Sequence, residues 1–359
     1  MTLKPTAFGL DISDLSLKII KLKKSGKFFD LASFGETEIK PGIIEGGEIK
    51  NEAELARIIK EALKKVKGEK LETNYVVASL PEEKAFLEVI QMPLMTVQEL
   101  AKAIYFEAEN YIPLPIEKVY LDAQTVLPLK NHLKHMDVLL AALPKKTIDS
   151  YIASLQEAGL KPLALEIESQ AISRAVVPGG LSPFPLLLID LGANRSSFIV
   201  FAGSYLRFTT SLPISAKQFT EAIAKNLKID LNKAEKLKIK YGIEDSNEGK
   251  KNLKAIAPLL ADFQEQISKY LDYYQSHSGH EHLPQNIQGV RKIILCGGGT
   301  NLKGLADFLS LGLKIPVELG NPWINILSHP LKKIPALSYE ESLRYATALG
   351  LALRGMNIM

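Results

Sequence analysis

Cysteine is almost absent: Cys296 is the one cysteine in 359 residues. No internal disulfide can form, and nothing asks for an oxidising compartment. Cys296 closes the apolar run Ile293-Ile294-Leu295-Cys296, the setting of a buried small hydrophobe rather than a nucleophile. A charge excess is missing too. Lysine and arginine number 44 against 40 acidic residues, a formal net charge of +4, which points to neither nucleic acid nor an acidic partner. Lysines collect at Lys21-Leu22-Lys23-Lys24 and from Lys60 to Lys70, but glutamates interleave the second stretch and it reads as a solvated helix face. His277, His280 and His282 have only Glu281 near them in sequence, so they read as a polar loop and not as metal ligands. No window is long and apolar enough to span a membrane without charge or proline, and MTLKPTAFGLD lacks the apolar core of a secretory signal. The expectation is a cytoplasmic protein that meets a membrane only through partners.

What is present is an ordinary soluble composition, 46% apolar and 23% charged, on a chain longer than one hydrophobic core usually supports. Two lobes are therefore expected. The stretch that organises them is Leu186 to Val200, where a buried strand ends on Asp190-Leu191-Gly192-Ala193-Asn194 and a second apolar run resumes at Phe198. A carboxylate at the end of a buried strand, followed by glycine, suits a hairpin that leans on a phosphate. Asp190 can hold magnesium through water there. The same residues also dress ordinary tight turns. Near the N-terminus the grammar recurs: Asp11 ends a strand, Ser13 and Asp14 make the turn, and Lys18 lies on the returning strand, within reach of a phosphate or simply exposed.

Further along, apolar residues from Leu55 to Val66 recur at helical spacing, and Tyr75 to Leu80 reads as a buried strand. Residues 86–162 form a proline-punctuated β-α-β-β-α block whose first helix opens on Thr96-Val97-Gln98-Glu99, a capping box. Lacking a cluster of His, Cys or paired acids, with Glu107 and Glu109 reading as solvated, it looks like a binding module. Leu163 to Ala171, which holds Glu166 and Glu168, reads as a strand feeding a helix with an acidic residue at the switch. Helices follow over Lys217 to Leu227, Asn232 to Tyr241 and Ala255 to Gln275. In the second of these, Glu235 and Lys238 are one turn apart, most simply an exposed ion pair. Arg291 to Cys296 then runs into Gly297-Gly298-Gly299, with Thr300-Asn301 placed like a helix cap. Three successive glycines imply close backbone approach to a ligand or another segment. Small-residue helices over Ser169 to Val176 and Tyr345 to Ala352 suit close packing where the lobes meet.

The order Gly-Leu-Asp11-Ile-Ser13 to Lys18, Asp190-Leu-Gly192, Ala-Glu235-x-x-Lys238, Gly297-Gly-Gly-Thr300-Asn-Leu-x-Gly304 and Ala-x-Gly350-Leu-Ala resembles the actin/Hsp70/hexokinase-like ATPases. More narrowly it resembles the PilM family of type IV pilus assembly proteins, relatives of the cell-division protein FtsA. The stretch Met92-Pro93 to Leu121-Asp122 is similar to the 1C subdomain that these proteins carry in place of actin's 1B. The resemblance implies an α/β, two-lobed, ribonuclease H-like fold with a 1C-type insert. The expected division is 1A over 1–85 and 163–184, 1C over 86–162, 2A over 185–215 and 291–344, 2B over 216–290, and a helix over 345–359 closing onto the first lobe. The implied cofactors are ATP and magnesium.

Carried over residue by residue, Asp11 and Asp190 hold magnesium through water, Ser13, Asp14 and Lys18 meet the β- and γ-phosphates, and Gly192 and Asn194 line the second phosphate loop. Gly297, Gly298, Gly299 and Thr300 lie under the adenosine and α-phosphate, and Glu235 and Lys238 flank the ribose and adenine. Asp14 departs from the family turn, which more often has Ser or Gly. No residue is assigned to positioning an attacking water, Glu168 and Gln170 being candidates by location alone, and hydrolysis is expected to be weak or absent. The implied role is a cytoplasmic adaptor at the inner face of the membrane. Its 1A/1C groove takes the N-terminal cytoplasmic peptide of PilN, beside other pilus-platform proteins and with self-association open. Two rivals stand beside it. A small-molecule kinase of the same superfamily needs a carboxylate base, and no surplus acid is apparent at the lobe junction. An FtsA-like filament former normally tethers itself to membrane, for which Arg354 to Met359 offer no amphipathic helix.

Overall fold

Buried strands that end in short polar turns build two sheets facing a common cleft. The computed structural model describes residues 6–126, 134–277, 289–328, 330–331 and 333–357. β1 (Phe8–Ile12) is buried throughout and pairs antiparallel with β2 (Ser16–Ser25), setting Asp11 opposite Lys18. β3 (Phe28–Glu38) continues the meander, and β4 (Ile44–Glu45) and β5 (Glu48–Ile49) make a small separate hairpin. α1 (Glu52–Lys64) starts where the Asn51 side chain accepts from the Glu54 N–H, and it buries Leu55, Ile58, Ile59 and Ala62, the stripe its spacing predicts. β6 (Lys67–Gly68), β7 (Tyr75–Leu80) and β8 (Phe86–Pro93) follow. α2 (Val97–Ala108) opens on the expected capping box, Thr96 and Glu99 each satisfying the other's backbone N–H. β9 (Val119–Val126), β10 (His135–Pro144), α3 (Lys145–Glu157), β11 (Lys161–Ile167) and α4 (Glu168–Val176) complete this half.

The second half begins with the meander β12 (Ser182–Leu191), β13 (Ser196–Gly203) and β14 (Tyr205–Leu212). α5 (Ala216–Leu227), α6 (Leu231–Tyr241) and α7 (Asn247–His277) pack over it. β15 (Lys292–Cys296), α8 (Leu305–Leu313), β16 (Val317–Leu319), the short α9 (Tyr339–Ser342) and α10 (Ala346–Asn357) close the chain. α7 starts eight residues before the expected Ala255, because Gly249 and Asn252 are buried there and extend its packed face. His277 ends that helix with its ring stacked on Tyr273, while His280, Glu281 and His282 lie outside the described residues.

The first sheet runs β11-β7-β1-β2-β3-β6 and the second β16-β15-β12-β13-β14-β8-β10-β9. Strands of the 86–162 block thus extend the second sheet, joined by Phe208 opposite Glu88, although the chain enters and leaves the block from the first. The join covers the edge of β14, which would otherwise be open. At the seam Arg207 and Asp137, both buried, stand 3.7 Å apart. α2 covers the block's strands with Leu100 and Ile104 against Ile90, Val138 and Leu140. The small-residue reading of the last helix has a direct cause: α10 lies on β1 and α4, and a Cβ at Gly350 would overlap the backbone carbonyl of Ala171.

Candidate functional site

Asp11, 4% exposed at the end of β1, is held from the neighbouring strand: Ser79 Oγ donates to its Oδ1 at 3.2 Å and itself accepts from the Ile12 N–H at 2.8 Å. In the turn that follows, the Ser13 N–H donates to Ser16 O at 2.9 Å. Lys18 returns over it, Nζ donating to Ser16 Oγ at 2.8 Å and standing 3.4 Å from Asp11 Oδ2. Asp14 has a second engagement that its place in the turn did not announce. Its two carboxylate oxygens accept from the Gly46 and Gly47 N–H groups, each at 3.0 Å, tying the hairpin to the β4–β5 turn.

Asp190 ends β12 in the matching position. Its turn closes with the Gly192 N–H donating to Arg195 O at 2.9 Å, and it is bound to the start of α5 by the Ala216 N–H donating to Gly192 O at 3.0 Å. β15 runs parallel beside β12 and delivers Gly297 to Asp190. Gly297 has φ +90°, and a Cβ there would overlap Asp190 Oδ1, so both the backbone and the space admit only glycine. Thr300 and Asn301 do not cap the following helix. They sit in a short 3-10 turn, Thr300 Oγ1 donating to Gly297 O at 2.7 Å, and the residue that precedes α8 is instead Gly304, in the left-handed region.

These segments, far apart in sequence, enclose one cavity of about 390 Å³, within the range of small-molecule sites. Asp11, Ser13, Asp14 and Lys18 line it from the first lobe, Asp190, Gly192 and Asn194 from the second, with Glu235, Lys238, Gly297, Gly298 and Gly299 completing the wall. Thr300 is the one predicted nucleotide contact that is not on it, being buried behind Gly297. Glu235 and Lys238 are an ion pair at 2.7 Å that is exposed only at its glutamate end: Lys238 is buried where α6 leans on α5. Its ammonium donates to Thr220 Oγ1 at 2.8 Å and Ala216 O at 3.2 Å. The Thr220 hydroxyl in turn donates to the Glu235 carboxylate.

The surplus acid that the sequence did not reveal, Glu83, is also here, beside Glu168, a candidate by location. Glu83 and Glu168 line the cavity with Asp11, Asp14 and Asp190. Desolvation in the cleft, with the negative charge of Asp11 second, pushes the Asp190 carboxyl up to about 6. Desolvation followed by Asp11, Glu83 and Asp190 holds the Glu168 carboxyl well above its usual range. Desolvation raises the Glu83 carboxyl, against a hydrogen bond from its own backbone N–H, and the negative charge of Asp14 adds to the rise. Such a wall takes up a polyanion only together with a cation. The donors fit magnesium: they are hard oxygens, and among the described residues no three acidic, His or Cys side chains converge to ligate an ion directly, which suits a metal that keeps its waters. Gln170 does not line the cavity. Besides Glu83, the residues of the wall that sequence reasoning missed include Tyr151, Arg195, Arg344 and Glu36.

The family model described as type IV pilus assembly protein PilM matches residues 9–356. The chain belongs to the PilM family. Among solved structures, a PilM–PilN type IV pilus biogenesis complex superposes with a TM-score of 0.80 at 30% identity, covering 99% of this chain and 100% of that one. The PilM fold is shared more widely. The ethanolamine utilization protein EutJ of Carboxydothermus hydrogenoformans gives a TM-score of 0.57 at 13% identity over 98% of this chain and 90% of that one. MreB5 of Spiroplasma citri, solved with ADP, gives 0.53 at 10% identity over 97% and 95%. The two-lobed actin-like fold expected from the motifs is therefore present. Among curated proteins, the cell division protein FtsA of Neisseria meningitidis serogroup B is 24% identical over 186 residues, 47% of this chain and 44% of that protein. FtsA of Enterococcus hirae is 24% identical over 212 residues, 53% and 48%. The chain spans about half the length of these curated relatives. Among the described residues no helix is long and apolar enough to cross a membrane.

Proposed function

We propose that this PilM-family chain binds ATP with magnesium between its lobes and acts as an adaptor of the type IV pilus assembly platform. The observation that carries the reading is the convergence of two aspartate-bearing hairpins and a triple-glycine turn on one cavity. Asp11 and Asp190 hold magnesium through water, and Ser13, Asp14, Lys18, Gly192 and Asn194 surround the β- and γ-phosphates. The glycines of 297–299 lie beneath the α-phosphate and nucleoside, with Thr300 supporting them from behind, and Glu235 and Lys238 flank the ribose and adenine. Magnesium, when bound, screens the wall's negative charge and that of the phosphates.

The division into 1A, 1C, 2A and 2B given above belongs to the same proposal, with 86–162 as the 1C insert. The partner is the N-terminal cytoplasmic peptide of PilN, docking as an extended segment in the groove between 1A and 1C, and the likeness to a PilM–PilN complex supports it. The protein then sits in the cytoplasm at the inner face of the membrane and reaches the bilayer only through its partners. ATP acts as a clamp across the lobes and shifts partner affinity in so far as it binds the two states unequally. Pulldown of the PilN peptide with and without ATP is the test: equal recovery removes the switch, and no recovery removes the partner. Glu168 supplies the carboxyl that phosphoryl transfer needs, so labelled ATP with candidate sugars serves as the control, a phosphorylated product favouring a kinase.

A further inference from the structure

Four cationic side chains line the cavity: Lys18, Arg195, Lys238 and Arg344. Three already pair with a carboxylate, Lys18 with Asp11 at 3.4 Å, Lys238 with Glu235 at 2.7 Å and Arg344 with Glu36 at 3.3 Å. Arg195 does not. Its Nε donates to Ser211 Oγ on β14 at 2.8 Å, which fixes the plane of the head group. Its two terminal nitrogens make no hydrogen bond or ion pair among the described residues. The residue closes the turn after Asp190, and its own carbonyl accepts from the Gly192 N–H, so its position is set by the loop that Asp190 and Gly192 define.

Its neighbourhood is acidic. Arg195 is a cation whose charge acts on the half-buried carboxyl of Glu83, on the first lobe, where desolvation and Asp14 work in the opposite direction. Tyr151 feels Glu168, Glu83, Asp14 and Asp11 from the same part of the wall, whereas Gly299 and Lys238 both border Ala216. A guanidinium held by one edge, with its remaining donors turned to a carboxyl-lined space, is arranged for an anion with two oxygens to offer.

We propose that Arg195 reads the terminal phosphate of a bound nucleoside triphosphate, so that the cleft distinguishes triphosphate from diphosphate. The inference rests on the nucleotide reading above and adds the group that tells the two nucleotides apart. With a triphosphate, the fork binds the last phosphate from the second lobe while Lys18 approaches from the first, and the two lobes are joined through the ligand. With a diphosphate that phosphate is missing, and the acid facing Arg195 across the cleft is Glu83. An arginine supplied from within the same chain serves terminal-phosphate charge in other nucleotide hydrolases.

The test is calorimetric titration of the full chain with magnesium and either the non-hydrolysable analogue AMPPNP or ADP, for wild type, Arg195→Ala and Arg195→Lys. Losing a charge-assisted hydrogen bond made only by the last phosphate is expected to weaken AMPPNP binding about 10- to 100-fold in Arg195→Ala, with ADP binding within about twofold of wild type. Arg195→Lys is expected to recover part of the AMPPNP affinity. A purely structural Arg195 would lower both affinities together, and that result, or no change in either, overturns the proposal. Arg195→Gln, which keeps a donor to Ser211 without the charge, must show the same selective loss if Arg195→Ala folds poorly. Wild-type protein that binds neither nucleotide overturns the nucleotide reading itself, a distinct outcome.

Discussion

Asp190→Asn separates what the cleft costs the fold from what the cleft does. The Asp190 carboxyl is pushed from an ordinary 3.8 up to about 6, by desolvation first and by Asp11 second. A group whose folded value lies above its unfolded one binds more protons in the folded state between those values, so stability falls as pH rises through that window. Below about pH 3 both states are protonated and the group contributes nothing; above about pH 6 the penalty is nearly complete. The shift corresponds to about 3 kcal/mol, and water in the open cleft screens this to about 1–3 kcal/mol. Asparagine keeps the shape without the charge. Nucleotide-free Asp190→Asn is therefore expected to be more stable than wild type by about 1–3 kcal/mol near pH 7.5, the gain shrinking to nothing near pH 3. With magnesium and ATP the order reverses, because the ligand stabilises only the protein that holds it. Urea unfolding at the two pH values, each with and without magnesium and ATP, reads all of this. A variant less stable than wild type at neutral pH without ligand, or a gain that does not change with pH, would refute the reasoning.

Two further substitutions probe the supports of the site. Asp14→Ala leaves the Gly46 and Gly47 N–H groups without their acceptor and is expected to cost about 1–3 kcal/mol, with faster hydrogen exchange at both amides; unchanged exchange there would show that Asp14 does not hold the turn. Gly350→Ala forces α10 away from the Ala171 carbonyl and is expected to cost about 2–3 kcal/mol, lowering the thermal midpoint, while an unchanged midpoint would contradict the close packing of α10 on α4.

How much of this was legible depended on whether the signal was local. Both hairpins could be read because a buried strand, an aspartate and a small-residue turn follow each other within a few positions. α1 could be read from its apolar spacing and α2 from Thr96 and Glu99, a capping box that closes within three residues. Lys238 looked exposed because the burial comes from α5, a separate helix that supplies Thr220 and Ala216. Thr300 had the composition of a cap, but the turn made by three glycines bends its hydroxyl back to Gly297, and the cap falls to Gly304. Glu83 was hidden for a related reason, whereas Glu168 was named by its location alone. Glu83 and Glu168 come from separate strand ends, and only the parallel pairing of β7 and β11 sets those ends side by side. Arg195 read as an ordinary turn residue, since nothing in sequence links it to Ser211.

The most direct measurement is a crystal structure of the chain grown with AMPPNP and manganese in place of magnesium. The account predicts an anomalous peak between the carboxylates of Asp11 and Asp190, bridged to them by water, with the triphosphate lying between the two hairpins. A nucleotide bound elsewhere, or a metal that meets neither aspartate, would contradict it.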